Sequence, residues 1–516
     1  MKKFFNASGP CNAKKHYMVD IDSRIQRIHT LIDNERYFIL HAPRQTGKTT
    51  CMKYIVDQLN QEQKYIAIYL NIESAQAVRN DVERANRIVL GILKRNVKCQ
   101  LDKNDHPSES CFQPFSMDEG VSHFFNEWCA ELTKPLVVFI DEIDSLMGDS
   151  LLSVLRQLRS GYDQRPEFFP HALCLIGLRD IRDYRIYSDQ EKRYVIGGSC
   201  FNIKESALVL ENFTREQVSD LFHQHTTATG QQFDIKALDH IYALTQGQPW
   251  LVNAFGRELC FDAHAIDWGQ TITVSDVDHI KEILILRRDV HLDQLADKLT
   301  EPRVANIISR MITGEIEQLD AISTDDQTYV INLGLVRRGE LGLEIANPIY
   351  REIIIRELTS VTEQFIAQKP AWYIKADGRL DIEKLLSAYI NFYKEHSELV
   401  TKRKTYTEAA HHMLFMAWIQ RIANSGGTIT REYAAGLKRL DMLVEFADER
   451  FAFELKLNSK RALDDGKKQL NNYLKRLSLN SGYLIIFNRK APDNWDDVGK
   501  REHITYDNKH IVIIYI

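Results

Sequence analysis

Residues 37–50 read "YFILHAPRQTGKTT". A short apolar run, Tyr37–Leu40, enters a loop that ends Gly47-Lys48-Thr49-Thr50, and a helical pattern follows. Strand, loop and helix in that order are the setting that a phosphate-binding loop, or P-loop, requires. The backbone N–H groups of such a loop and the positive end of the next helix hold a nucleotide's β-phosphate. Lys48 reaches the β and γ oxygens, and the Thr49 hydroxyl ligates Mg2+. Pro43, Arg44, Gln45, Thr46, Gly47, Lys48, Thr49 and Thr50 are therefore the expected nucleotide contacts. Ala42 replaces the first glycine of the usual pattern. Alanine is the smallest substitute, and Gly47 still stands where backbone and phosphate must approach most closely.

Further along, residues 135–144 read "PLVVFIDEID", an apolar run that ends in two carboxylates, as a central parallel strand does. Asp141 suits the Mg2+ shell beside Thr49, and Glu142 suits the base that polarises an attacking water. A strand followed by a capped helix is the plain alternative, and the upstream loop weighs against it. A third strand, Ala172–Asp180, offers Arg179 as the residue that senses a γ-phosphate. From Glu211 the pattern turns helical, with Thr214 and Gln217 spaced as a capping box. Gly247-Gln248-Pro249 then opens another helix.

The strings "FFNASGPCNAKKHYM", "HAPRQTGKTT", "GQPWLVNA", "RRDVHLDQLADKL" and "NPIYREIIIREL" carry a resemblance over nearly the whole chain. Together they resemble bacterial AAA-like (AAA+/STAND-type) ATP-binding proteins with a C-terminal domain of the PD-(D/E)XK nuclease superfamily. The resemblance implies ATP and Mg2+ as cofactors, a helical lid after the nucleotide core, and Pro249 beside the adenine. It also supports a small winged-helix module between lid and C-terminus, used for packing more than for reading DNA.

In the last third, residues 451–457 read "FAFELKL". Side chains two apart on a strand share a face, so Glu454 and Lys456 look one way while Phe453, Leu455 and Leu457 look the other. Unpaired charges are costly to bury, so that face of a half-buried sheet is either solvated or used. The expected order around it is a helix carrying Glu408, a strand Thr428–Tyr433, and a hairpin of Arg439–Phe446 and Arg450–Leu457 turning at Asp448-Glu449. A helix with Gln469 and Tyr473 follows, then a strand Tyr483–Phe487. Folding the hairpin brings Asp441 beside Glu454 and Lys456. This set resembles the PD-(D/E)XK core, with Asp441 as first acid, Glu454 and Lys456 as the E-x-K pair, Glu408 as helix acid and Gln469 as the glutamine of a Q-x-x-x-Y variant. Leu440 stands where that family's proline would be. The resemblance implies that Asp441 and Glu454 hold Mg2+ or Mn2+. A surface hairpin with a cross-strand ion pair is the bland alternative.

Composition narrows the field. Acidic residues outnumber basic ones by 71 to 66, which argues against a protein that coats nucleic acid with its whole surface. Residues 401–516 nevertheless hold 20 Lys and Arg against 14 Asp and Glu, so a polyanion would engage the C-terminal part. The eight cysteines form no C-x-x-C pair, which fits a reducing cytoplasm. No run approaches the roughly 18 apolar residues that a membrane span needs, and the N-terminus lacks a secretory apolar region.

The expected architecture is α/β and multidomain. It comprises a P-loop NTPase core with a parallel sheet over 1–204, a helical lid over 205–295 and a winged-helix connector over 296–366. Linker helices over 367–404 lead to a nuclease-like α/β domain over 405–516. The expected function is ATP binding and hydrolysis that controls a metal-dependent endonuclease acting on nucleic acid, foremost DNA, in anti-phage defence. The alternative is a signalling or scaffold NTPase whose nuclease-like domain binds nucleic acid or protein without cutting. A cytoplasmic location and a homo-oligomer are further expectations.

Overall fold

The computed structural model describes residues 3–516 except 115, 179, 181–184, 189–192, 263–267, 288–296, 313–321, 340–341, 366–372, 397–409, 424–427, 436–437, 460 and 489–493. Two compact units divide the chain. One is Met1–Arg287 with Thr328–Arg337 and Ala346–Pro348; the other is Arg288–Gln327, Arg338–Ile345 and Ile349–Ile516.

The strands of the first unit are β1 (Tyr37–His41), β2 (Ile66–Asn71), β3 (Leu136–Asp141), β4 (Ala172–Gly177), β5 (Arg185–Ser188), β6 (Arg193–Ile196) and β7 (Lys204–Val209). Five of them form a parallel sheet in the order β2-β3-β4-β1-β7, and β5 pairs with β6 alone. One strand, β4, thus separates the strand before the phosphate loop from the strand that ends in Asp141. Both faces of this sheet are buried, which is why its strands read as unbroken apolar runs. Tyr37 and Ile39 join one core with Ile68, Val138 and Leu173; Phe38 and Leu40 join another with Val137, Phe139 and Cys174. Helices α1 (Asp22–Asp33) and α2 (Lys48–Glu62) cover the second core. Helices α3 (Val82–Gln100), α4 (Gly120–Glu131) and α5 (Gly148–Ser160) cover the first.

The helices Arg215–Thr229, Ile235–Thr245, Pro249–Arg257 and Val274–Arg287 follow β7. The capping box forms as expected, with the Gln217 N–H donating to Thr214 Oγ1 and the Thr214 N–H donating to Gln217 Oε1. An N-terminal arm packs on these helices: Phe5 is fully buried against Tyr17, Phe222 and His225. Between lid and C-terminus come helices Pro302–Ile312 and Thr324–Asn332, strands β8 (Val336–Gly339) and β9 (Gly342–Ile345), and helix Pro348–Phe365.

The second unit is built on a mixed sheet. Its strands are β10 (Thr428–Ala435), β11 (Lys438–Phe446), β12 (Glu449–Leu457), β13 (Ser481–Phe487), β14 (Arg501–Tyr506) and β15 (Lys509–Tyr515), in the order β10-β11-β12-β13-β15-β14. The hairpin of β11 and β12 turns one residue earlier than expected. Phe446 pairs with Glu449, leaving Ala447 and Asp448 as the turn, with Ala447 at φ +51°. Helix Ala462–Arg476 crosses from β12 to the parallel strand β13. Its Leu470, Tyr473 and Leu474 pack on Ala452 and Leu484, the side of the sheet that carries Glu454 and Lys456. The opposite side is covered by helix Ala410–Ala423, whose Phe415 meets Phe453 at 5.6 Å. The sheet is therefore buried on both faces, and the expected half-buried sheet is corrected: the charged pair lies under a helix. Helix Ile382–His396, read from sequence as a linker, also packs here. Glu383 accepts hydrogen bonds from Tyr483 and Arg501, and the Leu385 carbonyl accepts one from Trp418.

His411 makes this core sensitive to pH. Its ring stacks on Phe487 at 5.6 Å, its Nδ1 lies 3.1 Å from the Tyr393 hydroxyl, and burial followed by the neighbouring His412 pushes its pKa down to about 4. The neutral ring is favoured in the fold, so an unfolded chain takes up the proton first. Stability should fall as pH drops through about 6.5 toward 4, by up to about 3 kcal/mol from this residue. Denaturant unfolding of wild type and His411→Gln across that range checks it: the variant's curve should be flatter, and an equal slope would place the titration elsewhere.

Candidate functional site

The phosphate loop is closed by its own lysine. Gly47 heads α2 at φ +93°, a conformation that side chains resist. Lys48 is only 9% exposed, and its Nζ donates to the Ala42 carbonyl at 2.7 Å and the Pro43 carbonyl at 2.9 Å. Burial pushes this ammonium below its usual range, while Asp141, Glu142 and Asp144 push back. An ammonium has three protons, so one remains for a ligand in this arrangement, and the two carbonyls compete with phosphate for the others. Thr46 is buried and donates to the Pro43 carbonyl at 2.9 Å, while Arg44 and Gln45 are exposed.

The two expected Mg2+ ligands are in contact: Thr49 Oγ1 donates to Asp141 Oδ2 at 3.1 Å. Asp141 Oδ1 also accepts the Glu142 N–H at 2.9 Å. A hydroxyl and a carboxylate side by side are hard oxygen donors that fit Mg2+. Burial first, and then Asp141, raise the Glu142 carboxyl, which improves it as a proton acceptor. Arg179 lies outside the described residues. Pro249 is buried at the first turn of its helix, but the side chain that reaches the loop is the preceding Gln248, whose Nε2 donates to the Gln45 carbonyl at 3.4 Å.

Several contacts escaped the sequence reading. Tyr69, within β2, donates to Asp141 Oδ2 at 2.5 Å and holds that carboxylate in place. The N-terminal arm reaches both sides of the site, with the Cys11 N–H donating to Thr50 Oγ1 at 3.0 Å and Trp250 Nε1 donating to the Ala7 carbonyl at 2.8 Å. Thr50 thus accepts a bond from the arm with its hydroxyl oxygen, and its O–H is still a donor. From the connector, Gly334 (φ +80°) comes so close that a Cβ there would lie 2.7 Å from Pro43 Cβ. Arg337 beside it donates to Gln246 Oε1 at 2.6 Å. The "GQP" string pointed near Gln248; nothing local signals the others.

A second cluster forms on β11 and β12. The Leu455 N–H donates to Asp441 Oδ2 at 2.7 Å, and Lys456 Nζ stands 2.7 Å from Glu454 Oε1. Glu454 is 1% exposed, and its other oxygen is buried with no hydrogen-bond partner. Gln469 Oε1, on the covering helix, is buried in the same condition. The helix approaches because Gly466 lacks a side chain: a Cβ there would lie 2.7 Å from Leu484 and 3.4 Å from the Lys456 stem. Burial drives both carboxyls above their ordinary range; their mutual repulsion adds to this at Glu454, and Lys456 counters it. Burial works against the Lys456 ammonium, yet the two carboxylates leave its pKa raised. Two carboxylates facing one lysine leave a negative surplus, and two orphaned acceptors cost about 1–3 kcal/mol each. A hard divalent cation fits that need, since Mg2+ commonly takes one or two carboxylates and keeps several waters. Among the described residues no group of three or more His, Cys, Asp and Glu converges, and Glu408 lies outside them.

These buried carboxyls have a measurable consequence. A raised carboxyl contributes stability that is complete below the ordinary carboxylate range and is lost as pH rises through the folded value. In a chelator, Tm should therefore fall as pH rises from about 4.5 to about 8 through Glu454. Glu454→Gln, which cannot ionise, should flatten that fall and melt higher than wild type at the alkaline end. An unchanged slope in the variant would contradict this electrostatic picture.

Comparison with known proteins bears on the first unit. Among solved structures the chain is similar to the Walker-type ATPase PABY2304 of Pyrococcus abyssi, at 13% identity over 68% of this chain and 99% of that one, with a TM-score of 0.48. It is also similar to the RuvB Holliday junction branch migration motor of Thermotoga maritima (14% identity, 65% and 95% covered, TM-score 0.35). Cdc6p of Pyrobaculum aerophilum gives 13% identity, 69% and 97% coverage and a TM-score of 0.37. No curated protein matches. A family model, AAA-like domain, matches residues 9–353, well over half of the sequence and all of the nucleotide site described above. The chain belongs to the AAA-like domain family.

Proposed function

We propose that the chain binds and hydrolyses ATP and that nucleotide state controls a metal-dependent nucleic-acid endonuclease in its C-terminal sheet. The observation that carries the nuclease half is the meeting of Asp441, Glu454 and Lys456 under one helix, with a Glu454 oxygen left unsatisfied. In the first unit Lys48 and the loop N–H groups bind the phosphates, with Thr49 and Asp141 as Mg2+ ligands. Glu142 takes the proton of the attacking water. In the second, Asp441 and Glu454 would hold Mg2+ or Mn2+. When bound, the ion lowers the pKa of a coordinated water and neutralises charge at a scissile phosphate. Lys456 orients the nucleophile or holds the developing phosphate charge. Gln469, on the covering helix with a buried, unpartnered Oε1, would add the glutamine of this set. The basic surplus of residues 401–516 supports a polyanionic substrate, DNA in the first instance. Cytoplasmic anti-phage defence, in a self-associated form, extends the same reading.

A second reading follows from the acidic balance of residues 1–400, which suits protein partners: the C-terminal domain would bind nucleic acid or protein without cutting, and the chain would be a signalling or scaffold NTPase.

Two experiments follow, the first on the ATPase half that both readings share and the second on the point where they part. Glu142→Gln should slow ATP hydrolysis by roughly 100-fold or more while ATP still binds; undiminished turnover would remove Glu142 from its role. Plasmid and single-stranded DNA should be cut in Mg2+ or Mn2+. Glu454→Ala should lose roughly 100-fold or more of that rate, and Lys48→Ala should lose its response to ATP. Wild type and Glu454→Ala equally inert on every substrate would favour the binding-only reading.

A further inference from the structure

Arg24, on α1, stands behind the phosphate loop, and the roles assigned above leave it unused. Its Nη2 donates to the Thr46 carbonyl at 3.4 Å and to the Glu211 carbonyl at 2.6 Å. Its guanidinium lies over the Phe213 ring at 4.9 Å, with Nη1 3.7 Å from Cys51 Sγ. A Cβ on Gly47 would sit 3.5 Å from that same Nη1. Burial pushes this guanidinium down from its usual range, with only the Cys51 thiol opposing, whereas Lys48 has three carboxylates around it. No described carboxylate forms an ion pair with Arg24. A half-buried cation whose partners are carbonyls, a thiol and a ring, all neutral, keeps an unmatched positive charge.

The geometry of the peptide unit gives this contact a consequence. In a trans peptide the C=O of one residue and the N–H of the next point in opposite directions. Fixing the Thr46 carbonyl toward Arg24 therefore turns the Gly47 N–H away from it, into the concave side of the loop where an anion binds. The same guanidinium fork reaches Glu211, between β7 and helix Arg215–Thr229, so loop and lid root share one anchor. We propose that Arg24 is a positioning residue of the nucleotide site, orienting the Thr46–Gly47 peptide toward the phosphates and adding an unmatched charge behind them. This rests on the nucleotide reading of the loop.

The test titrates full-length wild type, Arg24→Gln and Arg24→Lys with ATP and with adenosine, each displacing a fluorescent ATP analogue. Arg24→Gln should bind ATP about 10-fold more weakly while adenosine changes by less than about 2-fold. Arg24→Lys, which keeps the charge without the fork, should fall between, at about 3-fold, and carries the test should Arg24→Gln not fold. A merely structural role would weaken ATP and adenosine together; that result, or wild-type ATP affinity in both variants, overturns the proposal. A wild type that binds no ATP would overturn the nucleotide reading itself.

Discussion

A buried ammonium is the constraint around which the first unit is arranged. Lys48 is withdrawn from water at the head of α2, and an isolated charge there would be prohibitive. The loop supplies two carbonyls, and Asp141, Glu142 and Asp144 supply compensating charge. Those acids come from the end of β3 and just beyond it, so the strand order is part of the site's electrostatics. Tyr69 from the neighbouring strand then pins Asp141 against Thr49. Sheet topology, loop conformation and charge balance are one arrangement here.

The second unit repeats the theme with different parts. Again a lysine is set among more carboxylates than it can neutralise, this time at strand positions and under a helix. An acid surplus in a buried place is unfavourable without a proton or a cation to offset it. In both units the sheet's hydrophobic faces hold that strained group of charges in place. The burial of Glu454 serves no packing need that a leucine would not serve better.

Much of this was legible in the sequence, and what was missed has physical reasons. The strands β1 and β3 announce themselves because burial on both faces leaves no polar alternation, and the loop between β1 and α2 needs particular residues at each position. Asp441 could be placed beside Glu454 because hairpin pairing is local and its register follows from the turn to within a residue. The turn itself was misplaced, since Ala447-Asp448 carries none of the glycine or asparagine signals that a left-handed turn residue usually shows. The buried setting of Glu454 was missed because it depends on how helix Ala462–Arg476 docks, which the strand pattern alone does not express. Tyr69, Arg24 and Gly334 act through contacts with residues distant in the chain, and no spacing rule marks them.

A nucleotide's phosphates should draw Lys48 off its loop carbonyls. Calorimetric titration of the full chain with Mg2+–ATP, wild type against Lys48→Ala, reads this out. Wild type should show saturable, Mg2+-strengthened binding, and the variant should lose roughly 100-fold or more, as removal of a buried charge-assisted contact requires. Equal affinity in the two proteins would mean that the lysine stays on its carbonyls and takes no part in binding.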